Sequence, residues 1–169
     1  MRIYVASSWR NEAAQQSTVA TLRAAGHDVY DFRNPTPGDS GFAWRQIDPD
    51  REWLKDPARF RAGLAHPVAQ HGFRLDMSAL TGADATVLVL PCGRSAHLEL
   101  GYAVGAGQRT IVLLDTPISE PELMYLACDA MCVSIGEVLL ELETPDVERN
   151  ERRTRQVLGW RLTNGVTSP

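Results

Sequence analysis

Long apolar runs are missing from the chain. No segment reaches the roughly 18 consecutive apolar residues that a bilayer-spanning helix requires, so no membrane partner is expected. The opening run Met1-Arg2-Ile3-Tyr4-Val5 is too short for the apolar core of a secretory signal and reads as a strand, which predicts a cytoplasmic protein. Cysteine is scarce. Three residues, Cys92, Cys128 and Cys132, cannot all pair within one chain. Cys128 and Cys132 are spaced for one helical face or for a helix-to-strand step, and no histidine lies close to them in sequence to complete a zinc site. They read as thiols in a reducing compartment; neither a metal nor a cofactor is expected. Basic charge is not in excess either: the net charge is -4, which argues against nucleic acid as a partner but leaves room for a small anion held by a few arginines. The G-x-x-x-x-G-K pattern is absent, which excludes a P-loop enzyme. There is no internal repeat and no low-complexity block.

What is present is an ordinary globular composition over 169 residues, enough for one core and little more. Short β-branched or apolar runs predict strands at Arg2 to Ala6, Asp28 to Phe32, Ala85 to Leu90, Arg109 to Leu114 and Met131 to Val133. Helical patterns run from Asn11 to the stop at Gly26, from Asp50 to Ala65 and His66 to Gly82 with breaks near Pro57 and Pro67, from Ser95 to Gly107, from Pro121 to Cys128, and from Ile135 to Leu142. Strands alternating with helices predict an α/β fold: a flavodoxin-like (Rossmann-like) three-layer sandwich on a five-stranded parallel sheet of order 2-1-3-4-5. Residues 1–142 form this domain; 143–169 form a polar C-terminal helix or tail, with Arg149, Arg152, Arg153 and Arg155 on a solvated face.

In such a sheet ligands bind beyond the carboxyl ends of the strands, near the point where strand order reverses. That directs attention to Ser7–Asn11, to Arg33 and Asn34, to Pro91–Glu99 and to Asp115–Met124. Gly93 permits a tight turn, Ser95 can cap the next helix, and Arg94 stands beside free backbone N–H groups that could hold an anion. Glu99 falls in the first helical turn or just past it, where the helix dipole keeps a carboxylate ionised, as a nucleophile must be. The same dipole makes a glutamate there unremarkable, and local sequence alone favours that plainer reading. Asp76 lies beside an apolar stripe of Phe73, Met77 and Leu80, and is either half-buried with a perturbed pKa or turned outward. Two carboxylates at one pocket suit cleavage at an anomeric carbon, one attacking while another group assists the leaving group.

The segments Ile3–Ser7 (IYVAS), Asp76–Leu90 (DMSALTGADATVLVL), Ala96–Leu114 (AHLELGYAVGAGQRTIVLL) and Glu120–Tyr125 (EPELMY) resemble the nucleoside 2-deoxyribosyltransferase family, which includes N-glycosidases of nucleoside 5′-monophosphates. The resemblance runs through most of residues 1–142, and its most specific part is D-x-x-x-L-x-x-A-D before a strand with E-L-G-Y-A after it. It implies Glu99 as the nucleophile of a covalent glycosyl-enzyme and Asp76 as the aspartate that contacts the base and moves its proton. It places Tyr4 and the turn Ser7, Ser8, Trp9 and Arg10 beneath sugar and base, with a Ser and an Arg of this turn on phosphate in the nucleotide-cleaving branch. It implies that Met124 reaches a neighbouring subunit's site, hence a homodimer or larger homo-oligomer. The substrate implied is a nucleoside or its 5′-monophosphate, with water or a free nucleobase as acceptor.

Three departures stand out. The Pro91–Glu99 loop is longer by about one residue, which blurs the match at Arg94 and Ser95. Glu122 replaces an Asn that lies near the sugar 5′-hydroxyl; a carboxylate there accepts from a hydroxyl and repels phosphate, whereas Arg10, Arg33 and Arg94 suit phosphate. The loop carrying Trp44 and Trp53 is long, and those rings either stack on a base or pack under the loop. A nucleotide-sensing domain that binds without turnover is the competing reading, since one fold hosts many functions; the intact Asp76 and Glu99 favour the enzyme.

Overall fold

The structure is a computed structural model that describes residues 1–117 and 121–163, with side chains up to residue 155. Glu120 of the Glu120–Tyr125 segment and residues 164–169 of the C-terminal segment lie outside the described residues. The elements are β1 (Arg2–Ala6), α1 (Glu12–Ala24), β2 (Asp28–Tyr30), α2 (Pro57–Gly63), α3 (Pro67–Gly82), β3 (Ala85–Val89), α4 (Arg94–Gly105), β4 (Arg109–Leu113), β5 (Ala130–Cys132), α5 (Ile135–Glu143) and α6 (Asp146–Thr163). All sheet pairings are parallel and the order is β2-β1-β3-β4-β5, the doubly wound arrangement. Among the described residues no helix is long and apolar enough to cross a membrane.

The two faces of the sheet follow the period-2 rule of a strand. Ile3, Val5, Val87, Val89, Ile111 and Leu113 pack with Val19 and Leu22 of α1 and Val138 and Leu142 of α5. Tyr4, Ala6, Leu88 and Val112 pack on the opposite face with Leu80 of α3 and Ala96, Leu100 and Ala103 of α4. Because both faces are covered, β3 and β4 are buried at every position, and their sequences show no polar alternation. The one buried polar side chain on the α3–α4 face of β1 is Tyr4, at mid-strand.

Several local expectations are corrected. Pro57 and Pro67 start helices instead of breaking them: each is the first residue of its helix, behind Asp56 and His66 as caps. Phe73 is 61% exposed, because α3 buries Ala69, Gly72 and Leu80 instead. Gly72 explains the rotation: a Cβ there would lie 2.7 Å from the Phe42 side chain, so Phe42 of the long loop fills the space that periodicity assigned to Phe73. The turn of the helix that results brings Asp76 onto the inner face. Ser95 is not the cap of α4, which begins at Arg94 with Gly93 as N-cap and no side-chain cap bond.

The long connection from β2 to α3 closes on its own aromatic cluster. Trp44 packs against Phe42, Trp53 and Phe60 at ring-centroid distances of 5.2, 5.8 and 5.1 Å, which is the packing role for both tryptophans. At the far end of the chain α6 is fastened, not solvated along its arginine face. Buried Arg109 donates to the carbonyls of Glu141, Leu142 and Thr144, each at 2.7 Å, and to Asp146 at 2.9 Å. Arg149 reaches the Gly107 carbonyl at 2.7 Å, and Arg152 forms a two-pronged pair with Glu141 at 2.8 and 3.0 Å. The three cysteines are unpaired, Cys128 and Cys132 spanning the step into β5.

Candidate active site

The site is assembled by the register of β1 and β2. Tyr4 pairs with Tyr30, the last residue of β2, and the two rings stack at 5.4 Å with an interplanar angle of 15°. From this stack the two hydroxyls diverge. That of Tyr30 donates to Asp76 Oδ1 on α3 at 2.8 Å. That of Tyr4 acts on Glu99 on α4, whose carboxyl it pulls down. Strands and helices thus bring Tyr4, Tyr30, Asp76 and Glu99 into one cluster on the α3–α4 face of the sheet.

Both carboxylates are half-buried, and their environment raises both. Burial and then the charge of Asp76 push the Glu99 carboxyl up to about 7, against the pull of the Tyr4 hydrogen bond. Burial also raises Asp76, opposed by the Tyr30 hydrogen bond and reinforced by the charge of Asp39. Here the helix-dipole expectation for Glu99 is corrected. Glu99 lies beyond the first turn of α4, where the dipole has faded, and desolvation beside a second carboxylate dominates. The two phenols are driven far above the usual tyrosine range, by burial first and then by these carboxylates, so both keep their protons and can donate.

The Ser7–Arg10 turn is built from below. Ser7 donates to the Val89 carbonyl at 2.9 Å, tying the ends of β1 and β3, and Asn11 donates to the Leu90 carbonyl at 2.9 Å. The buried guanidinium of Arg33 donates to the carbonyls of Ser8 and Trp9 at 3.2 and 2.7 Å and lies 4.8 Å from the Trp9 ring centre. Its Nε also donates to Gln15 Oε1 on α1 at 3.0 Å. The Ser8 hydroxyl accepts from the Arg10 N–H at 3.2 Å, while the Arg10 guanidinium and the Trp9 ring face outward. Beneath them buried Asp31 accepts from Gln15, Gln16 and Asn34 at 2.8, 3.0 and 2.9 Å. Against the cost of burial, these bonds hold its carboxyl below the usual range.

Cavities flank α3 and α4. Asp76 and Tyr30 border one of about 70 Å³, with Asp39, Phe42, Gln46 and His71. Pro91, Gly93, Arg94, His97, Glu122 and Tyr125 line an open cleft of about 670 Å³ on the other flank of α4. Cys92 lines the cleft, and its thiol, raised to about 12 by burial, also feels the Glu99 charge. In the cleft the Gly93 carbonyl can only accept, so His97 Nδ1 carries the proton of their 2.9 Å bond, and Nε2 accepts from the Tyr125 hydroxyl at 2.9 Å. Arg94 and Ser95 are exposed, and their side chains have no hydrogen-bond partner among the described residues. Glu122 Oε1 accepts from the Met124 N–H at 2.9 Å and caps the 3-10 turn Leu123–Ala127. Met124 is 69% exposed.

The sequence-predicted Tyr4, Asp76 and Glu99 are therefore together. Gly93, Arg94 and Glu122 share a separate cleft, and Ser7 and Arg33 support the turn that presents Ser8, Trp9 and Arg10. Sequence reasoning missed Tyr30, His97, Tyr125 and Asp31. Tyr30 closes a predicted strand, and only pairing register reveals that it meets Tyr4.

No protein-family model matches the chain, and no curated protein matches it in sequence. Among solved structures it is similar to the CMP N-glycosidase of Clostridium botulinum, at 14% identity, with a TM-score of 0.47 over 85% of this chain and 100% of that one. It is also similar to the 2-deoxyribosyltransferase of Bacillus psychrosaccharolyticus, at 20% identity, over 82% of this chain and 90% of that one. With a TM-score of 0.55, that second likeness establishes that the chain shares the fold of a 2-deoxyribosyltransferase, the family its sequence segments resemble.

Proposed function

We propose that the chain is an enzyme of N-glycosidic bonds, acting on a (deoxy)nucleoside or its 5′-monophosphate through a covalent glycosyl-enzyme on Glu99. The observation that carries this reading is the convergence of two half-buried carboxylates beside two stacked tyrosines, one of which, Tyr30, holds Asp76 by its hydroxyl. Such a pair matches the chemistry. The Glu99 carboxylate attacks C1′ as the bond from C1′ to the base nitrogen breaks, and the bonding pair leaves with the base, which takes a proton from Asp76. Water or a free nucleobase then attacks C1′, the C1′–oxygen bond to Glu99 breaks, and the proton of the incoming group passes to Asp76. With its carboxyl raised to about 7, Glu99 is present as carboxylate and as acid near neutral pH, which lets one proton be exchanged within the pair.

Arg10, with Ser8, offers an unengaged guanidinium to a 5′-phosphate; Arg94 and Ser95 offer a second such group at the start of α4. Exposed Met124 supports a subunit contact in which one protomer completes the site of another. The test is incubation with a panel of nucleosides and 5′-monophosphates, with and without a second free base, read by chromatography. Release of free base supports the reading, and appearance of a new nucleoside assigns transfer. Binding of a nucleotide with no bond cleavage across the panel overturns it in favour of a sensing domain.

A further inference from the structure

Tyr30 takes no part in the bond-making steps of the proposed chemistry. Its position is fixed twice, by the β1–β2 register that sets it beside Tyr4 and by the 2.8 Å bond to Asp76 Oδ1. That bond occupies one oxygen of the carboxylate. Oδ2 has no hydrogen-bond partner among the described residues, so it is the oxygen left for a ligand. A free carboxylate at a helix surface rotates between rotamers; a bond from a half-buried hydroxyl on a strand restricts that rotation.

We propose that Tyr30 is a positioning residue. By donating to Oδ1 it fixes Asp76 with Oδ2 free for the proton of the leaving base, and by stacking on Tyr4 it ties that setting to the orientation of Glu99. The inference rests on the reading of Asp76 and Glu99 as the reacting pair.

The electrostatics agree with the geometry. The titratable groups facing Asp76 are Tyr30 from β2, Tyr4 from β1, Glu99 from α4 and Asp39 from the loop after β2, the last paired with His71 of α3 at 3.5 Å. Burial and Asp39 raise the Asp76 carboxyl, and the Tyr30 bond is the influence that lowers it. Tyr30 itself stays protonated across the working range, so the direction of donation does not reverse. Loss of the hydroxyl therefore leaves the pair holding protons more tightly, and the doubly protonated, unreactive form persists to higher pH.

The experiment compares wild type with Tyr30→Phe, which keeps the ring and its stack and removes only the donor. Carboxyl-detected NMR titration of the free protein should show Asp76 titrating higher by roughly one pH unit. With a substrate from the nucleoside and monophosphate panel, kcat should fall about tenfold with KM changed less than about twofold, and the acid limb of the kcat profile should move up by a similar interval. In an Asp76→Asn background the same substitution should change kcat less than about twofold, because the partner is gone. Replacement of Tyr30 by 3-fluorotyrosine, a stronger donor of nearly the same shape, should move the Asp76 titration and the acid limb downward, and it decides the matter if Tyr30→Phe does not fold. An unchanged Asp76 titration and acid limb in a folded variant overturn the proposal and leave Tyr30 as a core aromatic. If wild type cleaves no member of the panel, it is the functional reading that fails, and the NMR titration still decides whether Tyr30 sets Asp76.

Discussion

The Tyr4 hydroxyl pulls down the Glu99 carboxyl that burial raises, so the residue proposed to attack is coupled to β1, the strand between β2 and β3. Glu99→Gln keeps the shape and the acceptor oxygen for Tyr4 and loses the attacking group. Turnover should fall by orders of magnitude while ligand binding, followed by calorimetry, persists. A slow 2′-fluoro nucleoside should leave a sugar adduct on Glu99, detectable by mass spectrometry of a peptic digest. Near wild-type turnover by the Gln variant would remove Glu99 from the mechanism.

The same substitution has an opposite consequence for stability. Glu99 has a folded-state pKa raised from 4.5 to about 7, so between those values the folded state binds more protons than the unfolded state. Stability contributed by this group is therefore full at low pH and declines as pH rises through that window. Glu99→Gln removes the decline. Its Tm should match or exceed that of wild type above pH 7 by a few degrees, about 2–4 °C per kcal/mol for a chain of this size. A Tm difference that does not grow between pH 5 and pH 8 would argue against the raised pKa.

Sheet order and the strand limits within a residue or two were legible in the chain, because β3 and β4 are continuous apolar runs and the strand ends carry the polar residues. What stayed hidden depends on long-range packing. Phe73 reads as core until Phe42, from a loop with no regular period, takes the place over Gly72. Glu99 reads as a dipole-stabilised carboxylate until the fold sets Asp76 beside it, and no local pattern encodes that approach. His97 and Tyr125 meet across a stretch of sequence that carries no signal for their contact. The bonds from Arg33 to the carbonyls of Ser8 and Trp9 likewise join distant parts of the chain, and nothing near it in sequence shows them.

Phosphate preference should follow the two unengaged guanidinium groups. If Arg10 or Arg94 holds a 5′-phosphate, a monophosphate should displace its nucleoside, and the responsible Arg→Ala should weaken monophosphate binding about tenfold or more, from the roughly 1.5–3 kcal/mol of a charge-assisted bond. Nucleoside affinity should not change. Equal affinity for both ligands would instead assign Glu122 as acceptor for a free 5′-hydroxyl.

Assembly is measurable directly. Leu123 and Met124 are 75% and 69% exposed on the turn beside the large cleft, and Leu98 on α4 is 76% exposed. Multi-angle light scattering at micromolar concentration should give a homodimer or larger, and Met124→Asp should lower both the oligomer fraction and the activity. A fully active monomer would sink the idea that one subunit completes another's site.

The fastening of α6 predicts a stability effect remote from the chemistry. Arg109 satisfies three carbonyls at the end of α5 and the Asp146 carboxylate. Arg109→Met should destabilise by about 2–5 kcal/mol, since it strands buried acceptors at a helix terminus, and chemical denaturation would register it as a lower midpoint. An unchanged midpoint would mean that water replaces the guanidinium without cost.

Arg109 opens β4 and the carboxylate pair lies toward the other end of the strands, so the two sites have no side-chain partner in common. Energetic effects at separate, unshared positions add with little coupling. The end of the sheet that carries α6 is thus an independent reserve: substitutions that tighten it can offset the instability of a desolvated acidic pair without altering the protonation on which that pair depends.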